Sequence, residues 1–170
     1  VDLDTDFQAW RNLPQSGPLL IVANHPYGVI DGLAIGYLST LARSDVKIMT
    51  HSLLCQPAEV QRYMLPVDFG GTEEARHTTM ATRKRAMEWL KDGHVVVVFP
   101  AGGVSTSLSA LRGPAVDDAW HPFVAKLIRV AGLQIVPVFF HGQNSRLFQI
   151  ASHTYYPLRL ALLFRESVRL

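Results

Sequence analysis

Three short apolar runs, each followed at once by a polar or glycine-rich junction, constrain the fold of this chain most. The runs are residues 18–23, 94–99 and 133–140, and the junctions follow at 24–26, 100–103 and 141–144. The runs are rich in β-branched residues and apolar on both faces, which is typical of buried strands in a mainly parallel sheet. Residues 46–49 and 63–67 are weaker strand candidates. Parallel strands place all of these junctions at one edge of the sheet, where ligands bind in such folds.

Segments with helical spacing separate the apolar runs. Leu33, Tyr37 and Leu41 recur at four-residue steps and therefore share one face of a helix. Two further helices are expected over residues 73–92 and 122–132, from their capping residues and apolar spacing. Strands that alternate with helices predict an α/β fold, here a single domain over residues 1–170 with a mainly parallel central sheet flanked by helices.

The two ends of the chain indicate a piece of a longer protein. The sequence begins at Val1 rather than at methionine, and it stops within residues 167–170, which have the composition of a strand. We therefore expect a trimmed domain.

Composition excludes several classes of function. The chain carries 16 basic and 14 acidic residues, a formal net charge of +2, which gives no field typical of nucleic-acid binding. Its apolar runs are far shorter than the ~18 residues that span a bilayer. The single cysteine, Cys55, forms no internal disulfide and gives no sign of an oxidising compartment. Seven histidines without paired spacing predict no metal site.

The first junction carries the most specific chemistry. A histidine after a buried strand can take a proton from a hydroxyl group when a second group fixes its tautomer. Asp31 is the carboxylate nearest to His25, and the loop between them can fold it back onto the imidazole ring. A simpler interpretation stays open: Asp31 is also a good helix cap, and residues 24–26 can form a turn.

Residues 22–25, 31–32 and 99–105 resemble the glycerolipid acyltransferases, the family of lysophosphatidic acid acyltransferase. The resemblance is closest to the hemolysin-like branch, which includes lyso-ornithine-lipid acyltransferases. It extends from about residue 19 to 166. It includes further stretches at residues 66–68, 118–120, 136–138, 142–145 and 165–166.

The resemblance implies an enzyme of lipid metabolism, such as phospholipid biosynthesis. It implies transfer of a fatty acyl group from acyl-coenzyme A or acyl carrier protein to a hydroxyl of a lysophospholipid or lyso-ornithine lipid. His25 is then the general base and Asp31 orients it, without a covalent intermediate, a metal or a further cofactor. We expect a cytoplasmic protein held peripherally at the cytoplasmic face of the membrane, with the lysolipid, the acyl donor and the membrane surface as partners.

The sequence departs from the family pattern at two places. Five residues rather than four separate His25 from Asp31. The third motif commonly reads Phe-Pro-Glu-Gly-Thr-Arg-Ser, but Ala101 and Val104 stand here for its glutamate and arginine. These losses argue against a glycerol-phosphate acceptor.

Positions that match the family's motifs, together with residues of the polar junctions after the strands, form the predicted substrate-binding set. Its members are Asn24, Arg76, Phe99, Pro100, Gly102, Gly103, Ser105 and Asn144. The backbone N–H groups of Gly102 and Gly103 suit an anionic oxygen. Arg76 is the candidate anion contact, and the alternative is an exposed helix arginine. Asn144 lines the site or belongs to a turn. The basic run at residues 83–85 is interpreted as solvated, with attraction to lipid head groups as the lesser alternative.

Two other functions stay open. A thioesterase or lipase would use water in place of the lysolipid, although Ser105 lacks the Gly-x-Ser-x-Gly elbow of serine hydrolases. A catalytically degenerate module that binds lipid or carrier protein would explain the altered third motif.

Overall fold

The computed structural model describes residues 3–169 and has a parallel sheet with helices on both faces. The strands of this sheet are β1 (Leu19–Ala23), β2 (Val46–His51), β3 (Met64–Val67), β4 (Val95–Val98) and β7 (Gln134–Val138). A separate antiparallel pair consists of β5 (Thr106–Ser107) and β6 (Ala115–Val116). The helices are α1 (Phe7–Arg11), α2 (Val29–Ala42), α3 (Ala58–Gln61), α4 (Glu73–Lys91), α5 (Pro122–Leu127), α6 (Arg146–Thr154) and α7 (Tyr156–Arg169). A short 3-10 helix covers Ser52–Cys55.

The five-stranded sheet has the order β3-β2-β4-β1-β7, and every neighbouring pair is parallel. The three strands predicted from the apolar runs and the two weaker candidates are all present, and the predicted α/β fold class is confirmed. In the register, Leu19 pairs with Val95 on one side and with Gln134 on the other. The segments that follow β1, β2, β3 and β4 consequently meet at the carboxyl edge of the sheet.

The core lies on both faces of the two central strands. Every residue of β1 and β4 is buried, since both strands have a neighbour on each side and helices above and below. One face packs Ile21 against Ile35 of α2, together with Trp10 of α1. The other face packs Leu20 against Leu90 of α4 and residues of α5. This packing fixes the ends of β1 and β4, which carry the candidate catalytic residues.

Strand β7 departs from the prediction that its run is buried on both faces. It is an edge strand that pairs only with β1, and Ile135 is exposed, as is Phe139 just after the strand. Pro137 lies inside the strand, a position that an edge tolerates because proline has no N–H to donate to a further strand. An apolar run does not reveal which strand ends the sheet.

Helix α2 forms where expected, but two of the three residues on its predicted apolar face are exposed, while the third, Leu41, packs against the core. Leu33 and Tyr37 are each 55% exposed, whereas Ile35 and Leu38 are buried against the sheet. Both faces of this helix are apolar, so the four-residue spacing alone did not distinguish them.

The carboxyl-terminal segment is helical, and the strand expected at residues 167–170 is wrong for residues 167–169. Helix α7 continues to Arg169, while Leu170 lies outside the described residues. The helix is anchored by the buried residues Leu162 and Glu166, whose carboxylate accepts the N–H and hydroxyl of Ser145 at the start of α6. None of the helices within residues 3–169 is both long and apolar enough to cross a bilayer.

Candidate active site

His25 and Asp31 meet at the carboxyl end of β1. His25 lies two residues beyond the strand, and Asp31 lies in the first turn of α2. The Nδ1 atom of His25 is 3.0 Å from Oδ2 of Asp31, an ion-pair distance, although the ring N–H is not aligned with that oxygen as in an ideal hydrogen bond. The Asp31 carboxylate is fully buried and the His25 side chain is 16% exposed. The arrangement leaves Nε2 of His25 as the ring nitrogen available to a substrate.

The loop between the two residues holds the carboxylate in place. Oδ2 of Asp31 accepts the N–H of Tyr27 at 2.8 Å and that of Gly28 at 2.9 Å. Gly28 has φ +79°, a conformation that side-chain-bearing residues rarely adopt. This turn absorbs the additional residue between His25 and Asp31, so the longer spacing still brings the pair together.

Three further contacts fix the position of His25. Its ring stacks on Phe99 with the centroids 4.0 Å apart, and Phe99 directly follows β4. Its carbonyl accepts the N–H of Ser105 at 2.8 Å, and its own N–H donates to Oδ1 of Asp117 at 3.2 Å. The Ser105 hydroxyl donates to the same Asp117 oxygen. His25 is therefore held through both its backbone and its ring.

A cavity of about 760 Å³ opens beside His25 at this edge of the sheet. Its lining includes Met49 at the end of β2, Val67 at the end of β3, and Leu160 and Leu163 of α7. The predicted site residues that line it are His25, Phe99, Pro100, Gly102 and Gly103. The volume lies within the range of small-molecule sites, and an apolar lining suits an acyl chain.

The turn after β4 contains two glycines, and the backbone N–H of only one of them is free to bind a ligand. Gly102, with φ +73°, donates its N–H to the carbonyl of Phe99 at 2.9 Å and so closes the turn. The N–H of Gly103 bonds to none of the described residues. Of the two glycines predicted to face an anionic oxygen, Gly103 is therefore the one with a free donor.

Comparison with known proteins identifies the protein family of this chain. A family model described as acyltransferase matches residues 6–165. The chain belongs to this acyltransferase family. The resemblance to the glycerolipid acyltransferase family is thereby confirmed, and the match covers every element from β1 to α6.

Two curated relatives are similar over most of the length of this chain. A protein of Phocaeicola vulgatus named lyso-glycine lipid O-acyltransferase is 29% identical over 150 residues, which cover 87% of this chain and 50% of the relative. A protein of Bacteroides thetaiotaomicron with the same name is 29% identical over 150 residues, 87% of this chain and 52% of the relative. The chain thus spans about half the length of the curated relatives it matches.

Three predicted binding residues do not line the cavity. The amide of Asn24 joins two strand ends, since it donates to the carbonyl of Phe140 at 2.9 Å and accepts its N–H at 2.7 Å. Ser105 is buried and bonded to Asp117. Asn144 is buried, and its amide atoms have no hydrogen-bond partner among the described residues.

Arg76 also lies away from the cavity. Its side chain is 71% exposed on α4 and pairs with Glu73 one turn earlier at 2.9 Å. The structure thus places it as an exposed helix arginine, the alternative that the sequence left open.

Several charged residues of the cavity were not predicted. Arg83, His121 and Arg159 line it, as does Asp117. The sequence contained a signal for Arg83, because it falls at helical spacing with the buried Ala86 and Leu90 of α4, whereas its neighbours in the basic run are exposed. Asp117 and Arg159 had no comparable signal, because distant segments of the chain bring them to the site. No cluster of three or more metal-binding side chains occurs among residues 3–169.

Proposed function

We propose that this protein transfers a fatty acyl group from a thioester to a hydroxyl group of a lysolipid, with His25 as general base. The observation that carries the proposal is the position of His25: Nδ1 is 3.0 Å from the buried Asp31 carboxylate, and the ring lines a large, mostly apolar cavity. Membership in the acyltransferase family supports the same class of reaction.

The proposed step begins when Nε2 of His25 accepts the proton of the acceptor hydroxyl while its oxygen attacks the thioester carbonyl carbon. The tetrahedral intermediate then collapses, the C–S bond breaks, and the leaving thiolate takes the proton back from the imidazolium. Asp31 holds the proton on Nδ1 and stabilises the transient imidazolium. The free N–H of Gly103 is the donor we assign to the oxyanion of the intermediate. No bond to the enzyme forms at any stage.

The acceptor we favour is a lysolipid with an amino-acid head group. Both curated relatives are named for a lyso-glycine lipid, and the third motif lacks the glutamate and arginine of the common family pattern at Ala101 and Val104. This favours an amino-acid lipid over a glycerol-phosphate acceptor. For the donor we keep acyl-coenzyme A and acyl carrier protein, both of which present the acyl group as a thioester.

We also propose that the protein works at a membrane surface, with the segment from β5 to α5 towards the lipid. Leu108 and Leu111 are 90% and 71% exposed, and Trp120 is 62% exposed. Leu108 also lines the cavity, so the apolar surface is continuous with the site. Arg112 lies exposed in the same loop and adds attraction to anionic head groups. A lysolipid can thus reach His25 without crossing water.

The test is a product analysis with the full-length protein that contains this chain. Labelled acyl thioester is incubated with and without a lyso-glycine lipid, and the lipids are resolved by mass spectrometry. The proposal expects a diacylated product that forms only with the acceptor. Release of free fatty acid at the same rate with and without acceptor would show a hydrolase instead. Lipid binding without turnover on any acceptor would show a degenerate binding module.

A further inference from the structure

Arg83 brings a positive charge from α4 to the wall of the active-site cavity. Its side chain is half-buried, and Nη2 lies 3.0 Å from Nε2 of His121. The guanidinium also lies over the ring of Phe123, 5.5 Å from the centroid. All three residues line the cavity. Arg83 therefore lies beside one imidazole and one aromatic face, and neither neutralises its charge.

No carboxylate lies at ion-pair distance from Arg83 within residues 3–169. Two carboxylates do line the cavity, but Asp117 is engaged by Ser105 and by the backbone of His25, and Asp118 is exposed to solvent. The guanidinium of Arg83 thus lies in the cavity wall without a carboxylate partner among these residues.

The protonation of His121 strengthens the case for an anion. Its Nδ1 accepts the N–H of Phe123 at 3.0 Å and so caps α5, which leaves the proton of the neutral ring on Nε2. Burial, and then the charge of Arg83, lowers the pKa of His121, so the ring is neutral at pH 7. The Nε2–H group therefore lies beside guanidinium N–H groups, donor next to donor. An oxygen that accepts from both would satisfy them.

We propose that Arg83 and His121 form a subsite of the cavity for an oxyanion of the substrate, a carboxylate or a phosphate. The subsite rests on the proposed function, because acyl transfer brings such a group into the cavity from two sources. One is the head group of the acceptor, and the other is the phosphate-bearing part of the acyl donor. Charge-assisted hydrogen bonds to a guanidinium are the interactions that recognise either group.

The experiment measures equilibrium binding, by titration calorimetry, to the full-length protein. N-dodecanoylglycine and its methyl ester are probes of the acceptor side that differ in one negative charge. 4′-Phosphopantetheine, the part that coenzyme A and acyl carrier protein share, and pantetheine are probes of the donor side that differ in one phosphate. Binding is compared between the wild type, Arg83→Gln and Arg85→Gln. Arg85 is the matched control, since it lies exposed two residues further along α4 and does not line the cavity.

The proposal expects Arg83→Gln to weaken binding of one anionic probe roughly 10- to 100-fold, the size expected for lost hydrogen bonds to a charged group. The probe affected identifies the source of the oxyanion. The uncharged probe of the same pair and the Arg85→Gln variant should change by no more than about twofold, since neither alters a charged contact in the cavity.

Unchanged affinity for both anionic probes, equal losses for charged and uncharged probes, or no binding of either anionic probe to the wild type would overturn the subsite. Because the experiment measures binding without turnover, these results would refute the subsite and not the proposed acyl transfer, which the product analysis tests. Conversely, Arg83-dependent binding in a protein that transfers no acyl group would refute only the proposed function.

Discussion

Replacing Gly28 by alanine perturbs the loop that holds Asp31 against His25. Gly28 has φ +79° and ψ −114°, a backbone conformation that an L side chain adopts only with strain. A Cβ atom added there would come within 2.5 Å of Cδ1 of Leu163. The end of the leucine side chain can rotate away, so the backbone strain sets the main cost.

Strain of this kind costs of order 1–3 kcal/mol per residue. For a domain of this size, 1 kcal/mol lowers the midpoint of thermal unfolding by about 2–4 °C. Gly28→Ala should therefore lower the Tm by about 2–12 °C. If the loop relaxes to relieve the strain, the N–H groups of Tyr27 and Gly28 move away from the Asp31 carboxylate. We expect kcat to fall about 10- to 100-fold, as for a catalytic group displaced by about 1 Å.

Calorimetry and steady-state acyl transfer measure the two effects, and Gly32→Ala is the control for stability. Gly32 lies in α2 four residues later, and a Cβ there would meet nothing within 4 Å. Alanine at this helical position should stabilise the protein by about 0.5–1 kcal/mol. The reasoning is refuted if Gly28→Ala is as stable and as active as the wild type.

Three further predictions concern individual side chains. Asp31→Asn keeps an oxygen for the two loop N–H groups but loses the negative charge, so kcat should fall by up to about 10⁴-fold. Circular dichroism should show the native fold, and turnover at the wild-type rate would contradict the role assigned to Asp31. Arg76→Gln removes only an exposed ion pair and should leave KM and kcat within about twofold of wild type; a tenfold rise in KM would restore Arg76 as an anion contact. Burial tends to raise the pKa of Asp45, but its bonds to Arg43 and His94 outweigh this and hold the pKa below its usual value. The carboxylate therefore stabilises the fold above about pH 4, and the Tm difference between wild type and Asp45→Asn should shrink as the pH falls below that value; a constant difference would refute this.

The sequence predicted the sheet well because burial leaves a direct trace in composition. A strand with neighbours on both sides and helices on both faces needs apolar residues throughout, as in β1 and β4. The order of the strands left no such trace. Strand β7 is as apolar as the central strands but ends the sheet, and Leu33 and Tyr37 follow helical spacing on the exposed side of α2.

The His25–Asp31 pair was predictable because its two members are close in sequence and a short loop joins them. The rest of the site depends on contacts between distant segments. The side-chain amide of Asn24 bonds to the backbone of Phe140, which lies 116 residues later in the sequence. Asp117 accepts the N–H of His25, which lies 92 residues earlier. Arg83 lies in a basic run that favours a solvated surface, and only the packing of α4 beside α5 places it in the cavity wall.

The proposed role of His25 as the general base of acyl transfer is tested most directly by the rate of the His25→Ala variant. Initial rates of labelled acyl transfer to a lysolipid are measured at saturating substrate for this variant and for the wild type, with thermal unfolding to establish that both are folded. We predict a loss of about 10²- to 10⁴-fold, the usual contribution of a general base. A folded variant that keeps most of the wild-type rate would contradict it.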